Sequence, residues 1–195
     1  MEYTYTKDWF HWAPELFTKI TPGLPARRRF LEIGAFEGRG TVWMAENMLE
    51  DGGVLSVVDT WTGGEEHQEE GVAGVEERFD SNMAILKEKH PKRIISKMKM
   101  NSVSALNLLY ETPQFDFIYV DGSHLAKDVL TDACMAWPCL KEGGVMVFDD
   151  YLWGDPRDVL HRPKLAVDAF LNIFAEELGI LHTGYQLAVQ KNGAK

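Results

Sequence analysis

A chain of 195 residues, 45% hydrophobic, has the material for one globular domain with its own core. Its formal net charge of −10 disfavours nucleic acid and anionic lipid as partners, because both would be repelled. No apolar run is long enough to cross a bilayer, and residues 1–8 carry no basic stretch leading into an apolar one, so neither a membrane span nor a secretory signal is expected.

In chain order, residues 1–28 read as a helical N-terminal extension. Trp9, Phe10, Trp12, Leu16, Phe17 and Ile20 give it a face to pack on the domain or over a substrate, or to serve as a homodimer contact. Residues 29–195 form the domain proper. Residues 29–33 are a first strand, entered through Arg27, Arg28 and Arg29. A helix over 38–50 follows, with Val42, Ala45, Met48 and Leu49 as its apolar stripe. Residues 54–58 are a second strand, apolar nearly throughout, as a strand covered on both faces should be. Residues 62–74, rich in Gly and Glu, read as a loop, and 71–90 as a helix ended by Pro91. A strand over 93–97 and a short helix over 102–110 come next, with Ser102 as its cap.

Residues 115–120 are the fourth strand, 126–137 a helix halted at Pro138, and 145–148 a fifth strand entered through Gly143 and Gly144. An amphipathic helix over 163–178 precedes two strands, 180–183 and 186–190, around Gly184 and Tyr185. Cys134 and Cys139 have the spacing of neither a zinc knuckle nor a redox pair; they read as small core residues in a reducing, cytoplasmic setting. Alternation of strand and helix implies a Rossmann-like, doubly wound α/β sheet of seven strands, mostly parallel. The last two strands have no helix between them, so they form a C-terminal antiparallel hairpin.

The sequence from Phe30 to Thr41 places glycines between a strand and a helix. Gly34 lets the chain turn tightly, while Gly38 and Gly40 permit close approach of backbone to a ligand at a helix N-terminus. Glu32, two residues before Gly34, would repel a pyrophosphate and suit a cationic ligand. Asp59 ends the second strand, where a carboxylate can accept both hydroxyls of a ribose. Trp61 either flanks an adenine or packs locally.

With Asp59 behind it, the pattern Glu32-x-Gly34-x-x-x-Gly38 resembles the S-adenosylmethionine motifs of class I methyltransferases, over residues 29–191. Val120-Asp121-Gly122-Ser123-His124, the run from Lys141 to Gly144, Phe148-Asp149-Asp150-Tyr151 and the ending from Gly184 to Lys191 resemble the small-molecule O-methyltransferases acting on catechols, caffeoyl-CoA and macrolide sugars. The resemblance implies a cofactor site of Glu32, Gly34, Ala35, Phe36, Gly38 and Thr41 around the methionine part. It adds Asp59, Thr60 and Trp61 at the ribose and Asn101 and Ser102 at the adenine, with Asp121, Gly122 and His124 alongside.

Asp121 ends the fourth strand, and Asp149 and Asp150 end the fifth. Ligands of open α/β sheets bind beyond the carboxyl ends of the strands, so these acids should converge. Three hard oxygen donors suit Mg2+, and in catechol-type enzymes the matching positions hold a divalent metal that acidifies a substrate hydroxyl. Asp150 departs from that group, where Asn is frequent. Asp121, His124 and Asp149 are the catalytic candidates, His124 serving as base if no metal takes part. Residues 3–12, 62–74 and 151–162 would select a small-molecule acceptor, the last with Tyr151, Trp153, His161 and Arg162. Two other readings stand beside this one: a nicotinamide-dependent oxidoreductase, which would need a tighter glycine spacing, and a non-catalytic protein of the same fold.

Overall fold

The computed structural model describes residues 1–64, 73–110 and 114–193. Most of the expected 62–74 loop, and the start of the helix expected from residue 71, therefore lie outside the described residues. Seven strands run in order: β1 (Arg29–Ile33), β2 (Val54–Asp59), β3 (Ile94–Lys99), β4 (Phe115–Val120), β5 (Leu140–Phe148), β6 (Leu178–Thr183) and β7 (Leu187–Lys191). They form one sheet in the order β3-β2-β1-β4-β5-β7-β6. The first five are parallel, and β7 enters antiparallel between β5 and β6.

Among the described residues, six α-helices cover the sheet: α1 (Ala13–Ile20), α2 (Arg39–Asn47), α3 (Val75–Lys89), α4 (Ser102–Leu109), α5 (Ala126–Ala136) and α6 (Lys164–Ile173). Side chains of successive strand residues point to opposite faces, so each central strand feeds two cores. Phe30, Val57, Phe117, Tyr119 and Val147 meet α1, α2 and α3. Leu31, Val58, Ile118, Val120 and Phe148 meet α4, α5 and α6. Double coverage explains why these strands read as unbroken apolar runs rather than alternating ones. None of the described helices is long and apolar enough to cross a membrane.

Several boundaries differ from the sequence reading: the N-terminal extension is α-helical only over Ala13–Ile20, α2 ends at Asn47 rather than 50, β3 runs to Lys99 rather than 97, and β6 begins at Leu178 rather than 180. β5 begins at Leu140, five residues early, because Gly143 (φ +73°) and Gly144 lie inside the strand instead of before it. The last helix ends at Ile173 rather than 178. There the backbone of Glu177 accepts from Asn192 N (2.7 Å) and its carboxylate from Trp137 Nε1 (3.0 Å), which hands the chain to β6. The cap of α4 is Asn101, not Ser102: its extended backbone (φ −69°, ψ 156°) lets the side chain accept from Ser104 N at 2.8 Å. Asn101→Ala is expected to cost about 1 kcal/mol of stability, read as a lower urea midpoint at unchanged slope.

Candidate functional site

β1 ends in a turn that only glycine allows. Gly34 has φ +87°, and a Cβ there would lie 1.9 Å from the carbonyl oxygen of Asp121. The exits of β1 and β4 are thus pressed together at the open end of the sheet. Gly38 (φ +79°) precedes α2, but a Cβ on it would meet Phe79 and Met83 of α3 at 2.9 Å. This glycine makes room for helix packing, and Gly34 and Gly40 likewise make room for protein atoms. A Cβ on Gly40 would lie 2.7 Å from Glu32 Oε1, so the missing side chain leaves the space that Glu32 fills.

Glu32 is 1% exposed and accepts a short hydrogen bond from the Thr41 hydroxyl. Burial pushes its carboxyl up to about 8; the Asp59 charge acts in the same direction and Thr41 against it. A buried acid whose neighbouring charge is another acid fits a cationic ligand. The raised value carries a stability consequence. Glu32 favours the folded state most below its ordinary 4.5, and that contribution fades as pH rises toward 8. Glu32→Gln should therefore gain on the parent protein, by on the order of a few kcal/mol, between pH 5 and pH 8. Urea melts of both proteins without ligand, at the two pH values, measure this.

Asp59 closes the turn. Its Oδ2 accepts from Ala35 N (2.8 Å) and Phe36 N (3.0 Å), and its Oδ1 from Trp61 N (2.7 Å). The expected ribose ligand is thus also the clamp of the glycine turn. Of the two roles open to Trp61, packing is visible: its Nε1 donates to Phe36 O at 2.9 Å, and its ring lies 4.7 Å from Phe79 with Lys97 over it. Thr60 faces the cavity with its hydroxyl 2.9 Å from that of Thr62. Asn101 and Ser102 line the far side, where the Asn101 side-chain oxygen is engaged in capping α4.

β4 and β5 pair as Val120↔Phe148, so Asp121 and Asp149 leave neighbouring strands side by side, as expected. Burial first, then the charges of Asp149, Asp150 and Glu32, hold the Asp121 carboxyl well above its usual range. Burial and the Asp150 charge push Asp149 up to about 6. Asp149 accepts a short bond from the Tyr119 hydroxyl, one from Gln186 Nε2 (3.0 Å) and one from Asp150 N (2.8 Å). Asp150 (φ +55°) joins His124 Nε2 at 2.9 Å through one oxygen and accepts from the Tyr185 hydroxyl at 2.6 Å through the other. Trp153 stacks on His124 with ring centres 4.1 Å apart. Among the described residues, no three His, Cys, Asp or Glu side chains stand ready to hold one ion. The acids converge, but Asp149 and Asp150 are engaged by Tyr119, Gln186, His124 and Tyr185.

Of those partners, Tyr119 and Gln186 were not legible in the sequence. Tyr119 reads as core in an apolar strand, and the one signal for Gln186 was a polar residue entering a buried strand. Asp121, His124, Asp149, Asp150, Trp153 and Tyr185 face one cavity of about 910 Å³, which also receives Tyr5, Trp9, Phe10 and Trp12 from the N-terminal segment; Tyr119 and Gln186 are not part of its lining. That is room for two ligands of moderate size. Of the expected cofactor, catalytic and metal residues, Gly38 and Thr41 are not in the lining; of the four expected to select the acceptor, Trp153 is in it and Tyr151, His161 and Arg162 are not.

The family described as methyltransferase domain matches residues 31–151, from Leu31 in β1 to Tyr151 just past β5. The chain belongs to that family. Solved structures agree with the assignment at the level of fold. The O-methyltransferase TomG of Streptomyces achromogenes, solved with S-adenosylmethionine, is 20% identical, with a TM-score of 0.66 over 92% of this chain and 78% of that one. An O-methyltransferase from Bacillus cereus, in complex with S-adenosylhomocysteine, is 18% identical, with a TM-score of 0.60 over 91% and 79%. MycE of the mycinamycin biosynthetic pathway, solved with Mg and S-adenosylhomocysteine, is 17% identical with a TM-score of 0.60; the match covers 97% of this chain and 51% of MycE. No curated protein sequence matches. The methyltransferase thus carries a Rossmann-like fold shared with these structures, with a glycine turn at Gly34 and acids at the exits of β4 and β5.

Proposed function

We propose that this methyltransferase moves the methyl group of S-adenosylmethionine to a hydroxyl oxygen of a small molecule. The observation that carries this reading is a single cavity joining the Gly34 turn to the carboxylates Asp121, Asp149 and Asp150 and to His124. Glu32 and the backbone around Gly34 to Phe36 suit the amino-acid end of the donor, and Asp59 and Thr60 its ribose. The donor supplies a methyl group already activated on a sulfonium, so the protein has to align the acceptor, remove its proton and exclude water. In this reading His124, which joins Asp150 and stacks on Trp153, takes the acceptor proton. The net charge of −10 supports a small acceptor over nucleic acid.

A divalent cation such as Mg2+ is a second means of acidifying the acceptor. Its support is a donor set of hard oxygens whose carboxyls are raised by burial first and by their neighbours' negative charge after it. Asp121, Asp149 and Asp150 would hold it, and it would lower the pKa of the bound hydroxyl. Asp150 would then exchange His124 and Tyr185 for the ion. Methyl transfer from labelled S-adenosylmethionine to a panel of catechols, phenols and glycosides, with Mg2+ and with chelator, tests both statements. Transfer to an oxygen supports the proposal, and survival in chelator favours a protein base such as His124 over the cation. Labelling of amines or RNA alone would overturn the acceptor class.

A further inference from the structure

The N-terminal segment does more than extend the domain. Residues 3–12 run outside the helices and cross the cavity, and their polar anchors to the rest of the chain lie on the glycine turn and on α2 and α3. The Tyr3 hydroxyl donates to Glu46 of α2 at 2.7 Å. Thr4 exchanges two hydrogen bonds, both 2.9 Å, with the side chain of Asn82 in α3. Asp8 pairs with Arg39 at 2.8 Å, and the Arg39 guanidinium lies 4.6 Å from the centre of the Tyr5 ring. Trp9 packs on Phe36 of the turn with ring centres 4.8 Å apart. Phe10 is buried over Gly40, beside the Glu32 carboxylate, and meets Tyr119 edge-on at 6.3 Å.

Glu37 joins these pieces. It sits inside the glycine turn, is buried, and accepts from both the backbone N and the hydroxyl of Thr6 and from Arg78 of α3. One carboxylate therefore ties the N-terminal segment, the turn and α3 together. Tyr5, Trp9 and Phe10 line the cavity from outside, directly over the end that holds Glu32. A ligand seated there is walled in by this segment.

We propose that residues 3–12 are a strap over the methyl-donor pocket, latched by Glu37, and that the donor and its demethylated product pass only when the strap lifts. The proposal rests on the reading of this pocket as the donor site. Lifting exposes Glu32 and the Gly34 turn to solvent; closing excludes water from the sulfonium.

Stopped-flow tryptophan fluorescence with S-adenosylhomocysteine gives both rate constants. In Glu37→Gln and in Trp9→Ala, dissociation should be about tenfold faster, the effect of losing one charged hydrogen bond or one ring contact. Association should be faster as well, because a gate opens in both directions, whereas loss of an ordinary contact speeds dissociation alone. Trp9 is half-exposed, so Trp9→Ala decides the matter if Glu37→Gln does not fold. Association unchanged or slower in a folded variant overturns the strap. A parent protein that binds no S-adenosylhomocysteine removes the donor reading first, and the strap with it.

Discussion

Gly34→Ala should leave a protein that binds no S-adenosylmethionine and has lost several kcal/mol of stability. Two costs combine. The backbone at φ +87° is left-handed, which costs a residue with a Cβ about 1–2 kcal/mol. The larger cost is steric: the new Cβ would lie 1.9 Å from the Asp121 carbonyl, which is backbone and cannot rotate away. Relief requires parting the ends of β1 and β4, where Ile33 pairs with Val120 and Asp121 N donates to Ile33 O at 2.8 Å. Those ends carry the turn on one side and the acids on the other, so the substitution damages both halves of the site. Urea melts measure the first effect, at roughly 3 kcal/mol or more, and calorimetric titration the second. A variant with parental stability and affinity would mean that the turn differs from the one described.

Asp59→Ala is expected to have the second largest effect. It removes the acceptor for three backbone N–H groups, of Ala35, Phe36 and Trp61, at 2.8, 3.0 and 2.7 Å. Each unsatisfied donor costs about 1–3 kcal/mol when buried, and water entering the open cavity replaces part of that. The expected loss of stability is about 2–3 kcal/mol, with affinity for S-adenosylmethionine falling about a hundredfold or more. Asp59→Asn keeps one acceptor oxygen and should fall between the two. If Asp59 acted on a ribose alone, Asp59→Ala would lose affinity and keep its stability; the paired measurement separates a clamp from a simple ligand.

These two residues also show what could be read in the sequence and what could not. The glycine at the end of an apolar strand and the acid at the end of the next follow from chain order, and the sheet puts both where expected. Strand pairing likewise brings Asp121 beside Asp149, because β4 and β5 are neighbours. The partners of those acids depend on tertiary position. Gln186 reaches Asp149 because β7 inserts next to β5, and Tyr119 reaches it from a strand that reads as core. Nothing local distinguishes Gly38, which makes room for Phe79 and Met83, from Gly40, which makes room for Glu32. The N-terminal aromatics were visible as a packing face. The attachment of their segment to Glu37, Arg39 and Asn82, through Thr6, Asp8 and Thr4, crosses 31 to 78 residues of sequence and has no local signature.

The central claim is that the pocket around Glu32 and Gly34 takes a cationic methyl donor. Calorimetric titration of S-adenosylmethionine into the parent protein and into Glu32→Gln tests it most directly. The account predicts micromolar binding to the parent, about tenfold or more weaker in Glu32→Gln, where no carboxylate meets the cation. Absence of binding to the parent, or binding of a nicotinamide dinucleotide in its place, would contradict it.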